Sequence, residues 1–140
     1  MINIYSALCQ QLKDASIAYI TADDIAYDNA DFDPTNKEAW LATNFIPVQR
    51  ATDSKDSTGN VDTGFFQVDV FVPLNDETGG ATRYNLRALE IVNGILVAFA
   101  DNTQLNFGDA KVRISNADFA APLISESWYQ IPITINYTRI

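Results

Sequence analysis

Residues 64–74 read GFFQVDVFVPL, and this stretch decides the fold class. Every second residue from Phe66 to Val72 is apolar, and the residues between them include Gln67 and Asp69. A period of two places successive side chains on opposite faces of a strand. The pattern therefore predicts a β-strand over Phe65–Leu74 that buries one face against a core.

Two further stretches show the same alternation. Trp40–Val48 precedes this strand in the chain, and Ser127–Tyr137 lies close to the C-terminus. Pro47 and Pro132 fall inside them and cannot donate a backbone hydrogen bond, so we expect Pro47 near a strand end or on an edge, and Pro132 on an edge or at a bulge. Short extended pieces are also predicted at Ile17–Tyr19 and Ile25–Tyr27. A hairpin is predicted around the turn Gly108-Asp109. The hairpin strands would be Thr103–Phe107 and Ala110–Ile114.

Two segments have helical spacing instead. Asn3–Ala15 carries apolar residues at every fourth position, with Asn3 as the expected N-cap. Ala81–Ala100 is longer, and Leu86, Leu89 and Leu96 extend its apolar surface around the circumference. A helix apolar on more than one side is either deeply buried or packed against another subunit. The order of elements predicts one α+β domain over residues 1–140, a mainly antiparallel sheet with the N-terminal helix and the longer central helix packed on it.

Composition and charge exclude several function classes. The 140 residues carry 9 Lys and Arg against 18 Asp and Glu, a net charge of −9. Such a chain repels nucleic-acid phosphates and anionic membranes, and no run resembles a signal peptide or a membrane span. We therefore expect a bacterial cytosol as the compartment of assembly.

Catalytic and metal-binding signatures are missing from the sequence. It has no histidine, and its one cysteine, Cys9, lies in an apolar helical stretch that favours a buried thiol. Asp53–Asp62 departs from a calcium-loop pattern, and the acids at Asp23–Asp33 are typical of solvated turns. The sequence predicts no enzyme, no catalytic residues, no cofactor and no metal.

Between the first two strong strands lies the most polar part of the chain. Residues 50–63 are predicted as a long exposed loop that faces either a partner or a lumen. Loops of this length are often functional. The candidate site residues in it are Arg50, Asp53, Lys55, Asp56 and Asp62.

The order of these blocks resembles the tail terminator, or tail completion, proteins of long-tailed bacteriophages. The matching features are, in chain order, an N-terminal helix, Phe32-Asp33-Pro34, the strand Trp40–Val48, the block Gly64–Pro73, the helix Ala81–Ala100 and the final block Ser127–Ile135. The resemblance covers nearly the whole chain. The Ser- and Asp-rich loop after Arg50 departs from it.

This resemblance implies a structural virion protein of the tail, assembled in the bacterial host cytoplasm. It implies a ring of identical subunits, expected to be a hexamer, that caps the tail tube, ends polymerisation and meets the head-side connector. Its partners would be further copies of itself, the tail tube protein and the connector, while DNA only passes through the lumen. No membrane partner is expected.

Two alternatives stay open at this point. The chain could be another head–tail connector or minor tail subunit, because such proteins share folds and ring symmetry. It could also be a small carbohydrate- or ligand-binding module with an aromatic platform of Trp40, Trp128 and Tyr129.

Overall fold

A computed structural model describes residues 2–28, 30–35, 37–53, 59–74, 84–125 and 127–140, with the backbone alone for 48–53, 59–62 and 84–85. The described residues contain two α-helices, α1 (Ile2–Asp14) and α2 (Tyr84–Ala98), and a short 3-10 helix (Ala22–Asp24). Its strands are β1 (Ile25–Ala26), β2 (Trp40–Asp53), β3 (Gly59–Pro73), β4 (Gln104–Phe107), β5 (Ala110–Phe119), β6 (Leu123–Ile124) and β7 (Trp128–Arg139).

The strands form one sheet in the order β1-β2-β3-β7-β5-β4, and β6 pairs with the first residues of β7. Only β1 and β2 run parallel among the described strands, and the other pairs are antiparallel. The predicted α+β class with a mainly antiparallel sheet is confirmed. The β4–β5 hairpin is confirmed as well, since Phe107 pairs with Ala110 and Gly108 has a φ of 59°, which glycine adopts without strain.

The core lies between one face of the sheet and the two helices. Helix α1 packs over β4 and β5, and α2 packs over β3 and β7. The sheet side of this core consists of alternating residues on three central strands, all buried: Phe66, Val68, Val70, Val72, Val112, Ile114, Ile131, Ile133, Ile135 and Tyr137. The alternation in GFFQVDVFVPL thus marks a strand with one buried face, as predicted, and the structure places this strand, β3, between β2 and β7. The opposite face of the sheet is covered by no described helix, and we call it the open face.

The prediction that Pro132 lies at a sheet edge or a bulge is wrong. This proline lies in β7, a central strand between β3 and β5, where it pairs with Asp69 rather than forming an edge. Strand β5 ends opposite Ile133, and the Pro132 carbonyl accepts a hydrogen bond from the Ala120 backbone N–H at 3.0 Å. Pro132 therefore lies just past the last β5–β7 pair, so the bond that its nitrogen cannot donate falls at the end of this pairing rather than within it.

Two local predictions also differ from the structure. The Ile17–Tyr19 piece is a turn, closed by a hydrogen bond from the Ile20 N–H to the Ile17 carbonyl, with Tyr19 at a φ of 65°. Asn3 lies inside α1 rather than capping it, because the helix begins at Ile2. The Asn3 amide instead donates to the Asp109 carboxylate at 2.7 Å and ties α1 to the β4–β5 turn. The part of the predicted central helix before Tyr84 lies outside the described residues.

Candidate assembly surfaces

The segment predicted as a loop over residues 50–63 is instead largely a two-stranded ribbon. Strand β2 continues to Asp53 and β3 starts at Gly59, with Asp53 paired to Gly59. Strand β7 pairs with β3 only as far as Thr63. We call residues 48–53 and 59–63 the β-arm. Beyond Thr63, neither outer edge of the β-arm pairs with another described strand.

The candidate site residues divide accordingly. Arg50 and Asp62 are paired across the β-arm, and Asp53 is the last residue of β2, so the structure brings the backbones of these three onto one ribbon. Lys55 and Asp56 lie outside the described residues. The sequence signal for the ribbon is weak, because the arm lacks the apolar alternation that marks buried strands and its pairing continues from the sheet below it.

The base of the β-arm is built on Gly64. This glycine pairs with Pro47 on one side and Tyr137 on the other, and β2 has a register shift between Pro47 and Gln49. A Cβ atom at position 64 would lie 2.5 Å from the Ile46 carbonyl oxygen and 2.6 Å from the Tyr137 hydroxyl. The Tyr137 ring therefore occupies the space above Gly64, and it stacks on Phe45 with the ring centroids 5.6 Å apart.

The outer edge of β2 is protected by an aspartate where β1 stops. The Asp28 carboxylate accepts a hydrogen bond from the Phe45 backbone N–H at 2.7 Å and another from the Thr43 hydroxyl at 2.5 Å. These bonds take the place of a neighbouring strand. An unpaired strand edge is otherwise a template for further strand pairing, so Asp28 limits the exposed edge to the part beyond Phe45.

Other acids predicted to lie in turns have structural partners as well. Burial opposes ionisation of Asp24, but the Lys37 ammonium at 2.9 Å and hydrogen bonds from Thr21 hold the pKa of Asp24 below its ordinary value. Hydrogen bonds from Thr35 lower the pKa of Asp33. Over the described ranges, no group of three or more His, Cys, Asp or Glu side chains is placed to hold a metal ion.

A groove of about 660 Å³ runs along the outer side of α1, lined in part by Tyr5, Cys9, Tyr27 and Phe107. Burial raises the pKa of the Cys9 thiol to about 11, against a smaller opposing effect of its hydrogen bond with Tyr5. Burial likewise raises the pKa of the Tyr5 hydroxyl. Both groups stay protonated at neutral pH, so neither supplies the anionic nucleophile that covalent catalysis requires.

The proposed aromatic platform is not assembled on one surface. Trp128 and Tyr129 are neighbours in β7, so they point to opposite faces, with Trp128 on the open face. Trp40 stacks on Phe71 with centroids 4.1 Å apart and planes 6° apart, and Trp128 meets its edge at 5.7 Å. The faces of Trp40 that could stack on a sugar are therefore already used in packing within the chain.

Large apolar side chains remain exposed at two places. On α2 the outward residues Leu89 and Val97 are 45% and 69% exposed. From the last residue of β5 to the end of β6, the segment Phe119–Ile124 is exposed at every residue, with Ile124 at 68%. Contiguous exposed apolar surface is typical of protein–protein contact sites. No described helix is long and apolar enough to cross a membrane.

Comparison with known proteins agrees with this arrangement. The phage tail terminator protein family matches residues 3–137. One solved structure, whose title gives no function, is 25% identical with a TM-score of 0.75 and covers 99% of this chain and 94% of its own. A second, from a structure titled as the virion of a native gene transfer agent particle, is 15% identical with a TM-score of 0.66 and covers 98% and 94%, and it shows the shared fold. No curated protein matches the chain.

The family match spans nearly the whole chain, so the resemblance inferred from the strand blocks is confirmed. The family is a structural one, which agrees with the absence of a catalytic signature in the sequence. The chain belongs to the phage tail terminator protein family and is a structural protein of the virion tail.

Proposed function

We propose that the chain forms a ring, with six subunits, that caps the tail tube, ends its polymerisation and provides the interface to the head-side connector. Family membership supports the position at the tail, and the β-arm is the observation that carries the capping role. The exposed apolar residues of α2 and of the segment Phe119–Ile124 support assembly with other protein subunits.

The β-arm is suited to contact a neighbouring protein. At about 3.3 Å per residue, the part of β3 from Thr63 to Gly59 extends about 13 Å past the last pairing with β7. An isolated two-stranded ribbon is marginally stable in water, and its unpaired edges can add strands of a partner. We therefore assign the β-arm to the contact with the tube or the connector, and Arg50, Asp53, Lys55, Asp56 and Asp62 to that contact surface.

The charge of the chain fits a channel that DNA crosses without binding. A net charge of −9 per subunit gives a ring a strongly negative field, which repels phosphates. We propose that DNA only passes through the lumen and makes no specific contact. A connector or minor tail subunit is the alternative, and the two functions differ in whether the chain binds the end of a purified tail tube.

The experiment compares tube binding by the unmodified chain and by a variant with a shortened arm. The variant replaces Ala51–Val61 with Asn-Gly, a two-residue turn that keeps Arg50 opposite Asp62. A second variant keeps the paired arm and replaces residues 54–58, which include Lys55 and Asp56, with five Gly and Ser residues. Co-sedimentation with polymerised tail tube protein measures binding, and thermal unfolding measures whether each variant is folded.

The proposal predicts that the unmodified chain sediments with tubes and that the shortened arm reduces binding at least tenfold while the melting temperature changes by a few degrees. Tube binding by the Gly and Ser variant separates the contribution of the paired ribbon from that of residues 54–58. Equal tube binding by the folded, shortened variant would contradict the role of the β-arm. Failure of the unmodified chain to bind tubes, with binding to the connector intact, would favour the connector subunit instead.

A further inference from the structure

The groove along the outer side of α1 is large enough to take several side chains of another molecule. Its volume of about 660 Å³ lies within the range of about 300–1,000 Å³ that is typical of binding sites. Two charged residues line it, Lys13 and Asp14, and both belong to the last turn of α1. Charge is therefore confined to one end of the groove, and the rest is lined largely by aromatic, thiol and small side chains, among them Tyr5, Cys9, Tyr27 and Phe107.

Polar atoms in this lining have partners within the chain. The Tyr5 hydroxyl donates a hydrogen bond to the Asp28 carboxylate at 3.4 Å, and Cys9 hydrogen-bonds with Tyr5. An occupant therefore needs no hydrogen-bonding groups to match these two side chains. It needs apolar surface, because burying its own polar groups there without partners would cost free energy.

The segment Phe119–Ile124 offers such a surface. Its sequence, FAAPLI, contains no charged or polar side chain. All six residues are exposed, with Phe119 at 48% and Leu123 at 56%. Leu123 and Ile124 are neighbours in β6, so they present apolar side chains to both sides of the strand. A chain that stayed monomeric would keep this whole surface in water, which is unfavourable.

Backbone hydrogen bonds hold the segment in place. The Ala120 N–H donates to the Pro132 carbonyl at 3.0 Å, and β6 pairs with the first residues of β7. Between these two attachments lies Pro122, whose ring fixes its φ angle. The segment is thus already ordered in the subunit, and little conformational entropy remains to be lost when a partner covers it.

The segment and the groove lie at different places on the subunit. Among the described residues, the groove is lined by α1, β4 and two residues of the segment 22–27, whereas Phe119–Ile124 is attached to β7. None of the six residues of FAAPLI lines the groove. Each subunit therefore carries one apolar projection and one apolar recess that it does not bring together itself.

We propose that the occupant of the groove is the segment Phe119–Ile124 of a second copy of this chain. This inference rests on the proposed ring and assigns the surfaces by which neighbouring subunits meet. A contact between two different patches of identical subunits is heterologous, and it closes into a ring when the rotation between neighbours divides a full turn. The contact places an uncharged segment on the uncharged part of the groove, so it adds no close repulsion between subunits that each carry a charge of −9.

The single cysteine of the chain, Cys9, lines the groove and reports on what enters it. A second thiol is introduced at one position in each of four chains: Phe119→Cys, Leu123→Cys, Ile124→Cys and, at an exposed position of α2, Val97→Cys. Rings formed in solution or on tail tube ends are oxidised with copper phenanthroline and separated without reductant. A disulfide requires the two Cα atoms to lie within about 7 Å of each other, so each bond that peptide mass spectrometry identifies marks a contact.

We expect at least one of the three segment chains to form a disulfide between the introduced thiol and Cys9 of a neighbouring subunit. Because every subunit then carries one thiol of each kind, the products form a ladder of covalent multimers up to the size of the ring. Adding Cys9→Ser to the same chain should remove every product larger than a dimer. Val97→Cys should form no bond with Cys9.

A second measurement does not depend on thiols. Ile124→Ser removes apolar surface from the segment, and Ile140→Ser makes the same change at another exposed isoleucine. Native mass spectrometry across a concentration series measures the concentration at which half of the chains are in rings, and thermal unfolding checks that both chains are folded. We expect Ile124→Ser to raise that concentration about tenfold or more, since an apolar side chain is no longer buried at each contact. Ile140→Ser should stay within about twofold of the unmodified chain.

The outcomes separate this inference from the function on which it rests. Rings in which no segment thiol bonds to Cys9, and which form equally well from Ile124→Ser and Ile140→Ser, would overturn the contact and leave the tail-capping ring intact. A bond from Val97→Cys to Cys9 would also overturn it, because α2 would then occupy the groove. An unmodified chain that forms no ring either in solution or on tube ends would overturn the proposed ring itself.

Discussion

Replacing Gly64 with alanine tests the base of the β-arm. The added methyl group would lie 2.5 Å from the Ile46 carbonyl oxygen, 2.6 Å from the Tyr137 hydroxyl oxygen and 2.9 Å from the ring carbon that bears it. Two of these contacts belong to a ring that is buried in the core, and the third belongs to the backbone of β2. Neither side of the site can move without disturbing the pairing of β3 with its neighbours.

Overpacking of this kind costs about 1–3 kcal/mol of unfolding free energy. Alanine also lowers the conformational entropy of the unfolded chain relative to glycine, which raises the unfolding free energy by about 0.4–1 kcal/mol. The net expectation is a loss of about 1–2 kcal/mol, which for a domain of this size lowers the melting temperature by roughly 3–7 °C. Because the strain falls where the arm leaves the sheet, we also expect weaker binding to tube ends.

Gly94→Ala is the matched control with the opposite sign. A Cβ atom at this position of α2 would lie 3.5 Å from Ile17, an ordinary contact, so the helix gains the propensity of alanine at no steric cost. We expect Gly94→Ala to stabilise the chain by about 0.5–1 kcal/mol. Urea unfolding of both variants measures the difference. A Gly64→Ala chain at least as stable as the unmodified one would refute the reasoning about the Tyr137 contact.

Three further predictions concern buried and paired groups. Asp28→Ala should lower the unfolding free energy by about 1–3 kcal/mol, because it leaves the Phe45 N–H without its acceptor. Its control, Asp31→Ala at an exposed position, should change the unfolding free energy measured in urea by less than about 0.5 kcal/mol. Equal effects of the two substitutions would contradict the role of Asp28 at the edge of β2. The lowered pKa of Asp24 stabilises the fold above the ordinary aspartate pKa of about 3.9, and this stabilisation is lost as pH falls through the lower folded pKa. The Asp24→Asn chain should therefore be less stable than the unmodified chain at neutral pH, and the difference in unfolding free energy should shrink only in that acidic range. A difference that is independent of pH would contradict this. With its pKa near 11, the Cys9 thiol should react with iodoacetamide at pH 8 about a hundredfold more slowly than in the urea-unfolded chain, and comparable rates would show that the thiol is not shielded.

The fold could be predicted from the sequence where burial imposes a period. The alternation from Phe66 to Val72 and in β7 reflects one face against the helices, so the sequence predicts β7 within two residues at each end and β3 from Phe65 to its C-terminal end, while the first six residues of β3 are missed. Pro47 was placed correctly on the outer part of β2, beyond the residues that pair with β1. The helical stripe of α2 was identified for the same reason, including its exposed apolar side.

The remaining features depend on contacts between distant segments. Pro132 suits a central strand only because β5 ends beside it, which local sequence does not encode. The pairing of Arg50 with Asp62 extends the β2–β3 pairing of the sheet past the register shift between Pro47 and Gln49. The polar composition of the arm does not show this pairing, and it alone predicts a loop. The role of Asp28 as a substitute for a strand requires β1 to end at Ala26, which the local sequence does not encode.

The capping role is tested most directly by following tail tube polymerisation with and without the purified chain, by electron microscopy over time. The account predicts that added chain stops elongation and that a ring of subunits lies at one end of each finished tube. Tubes that continue to lengthen at the same rate, with no added density at either end, would contradict it.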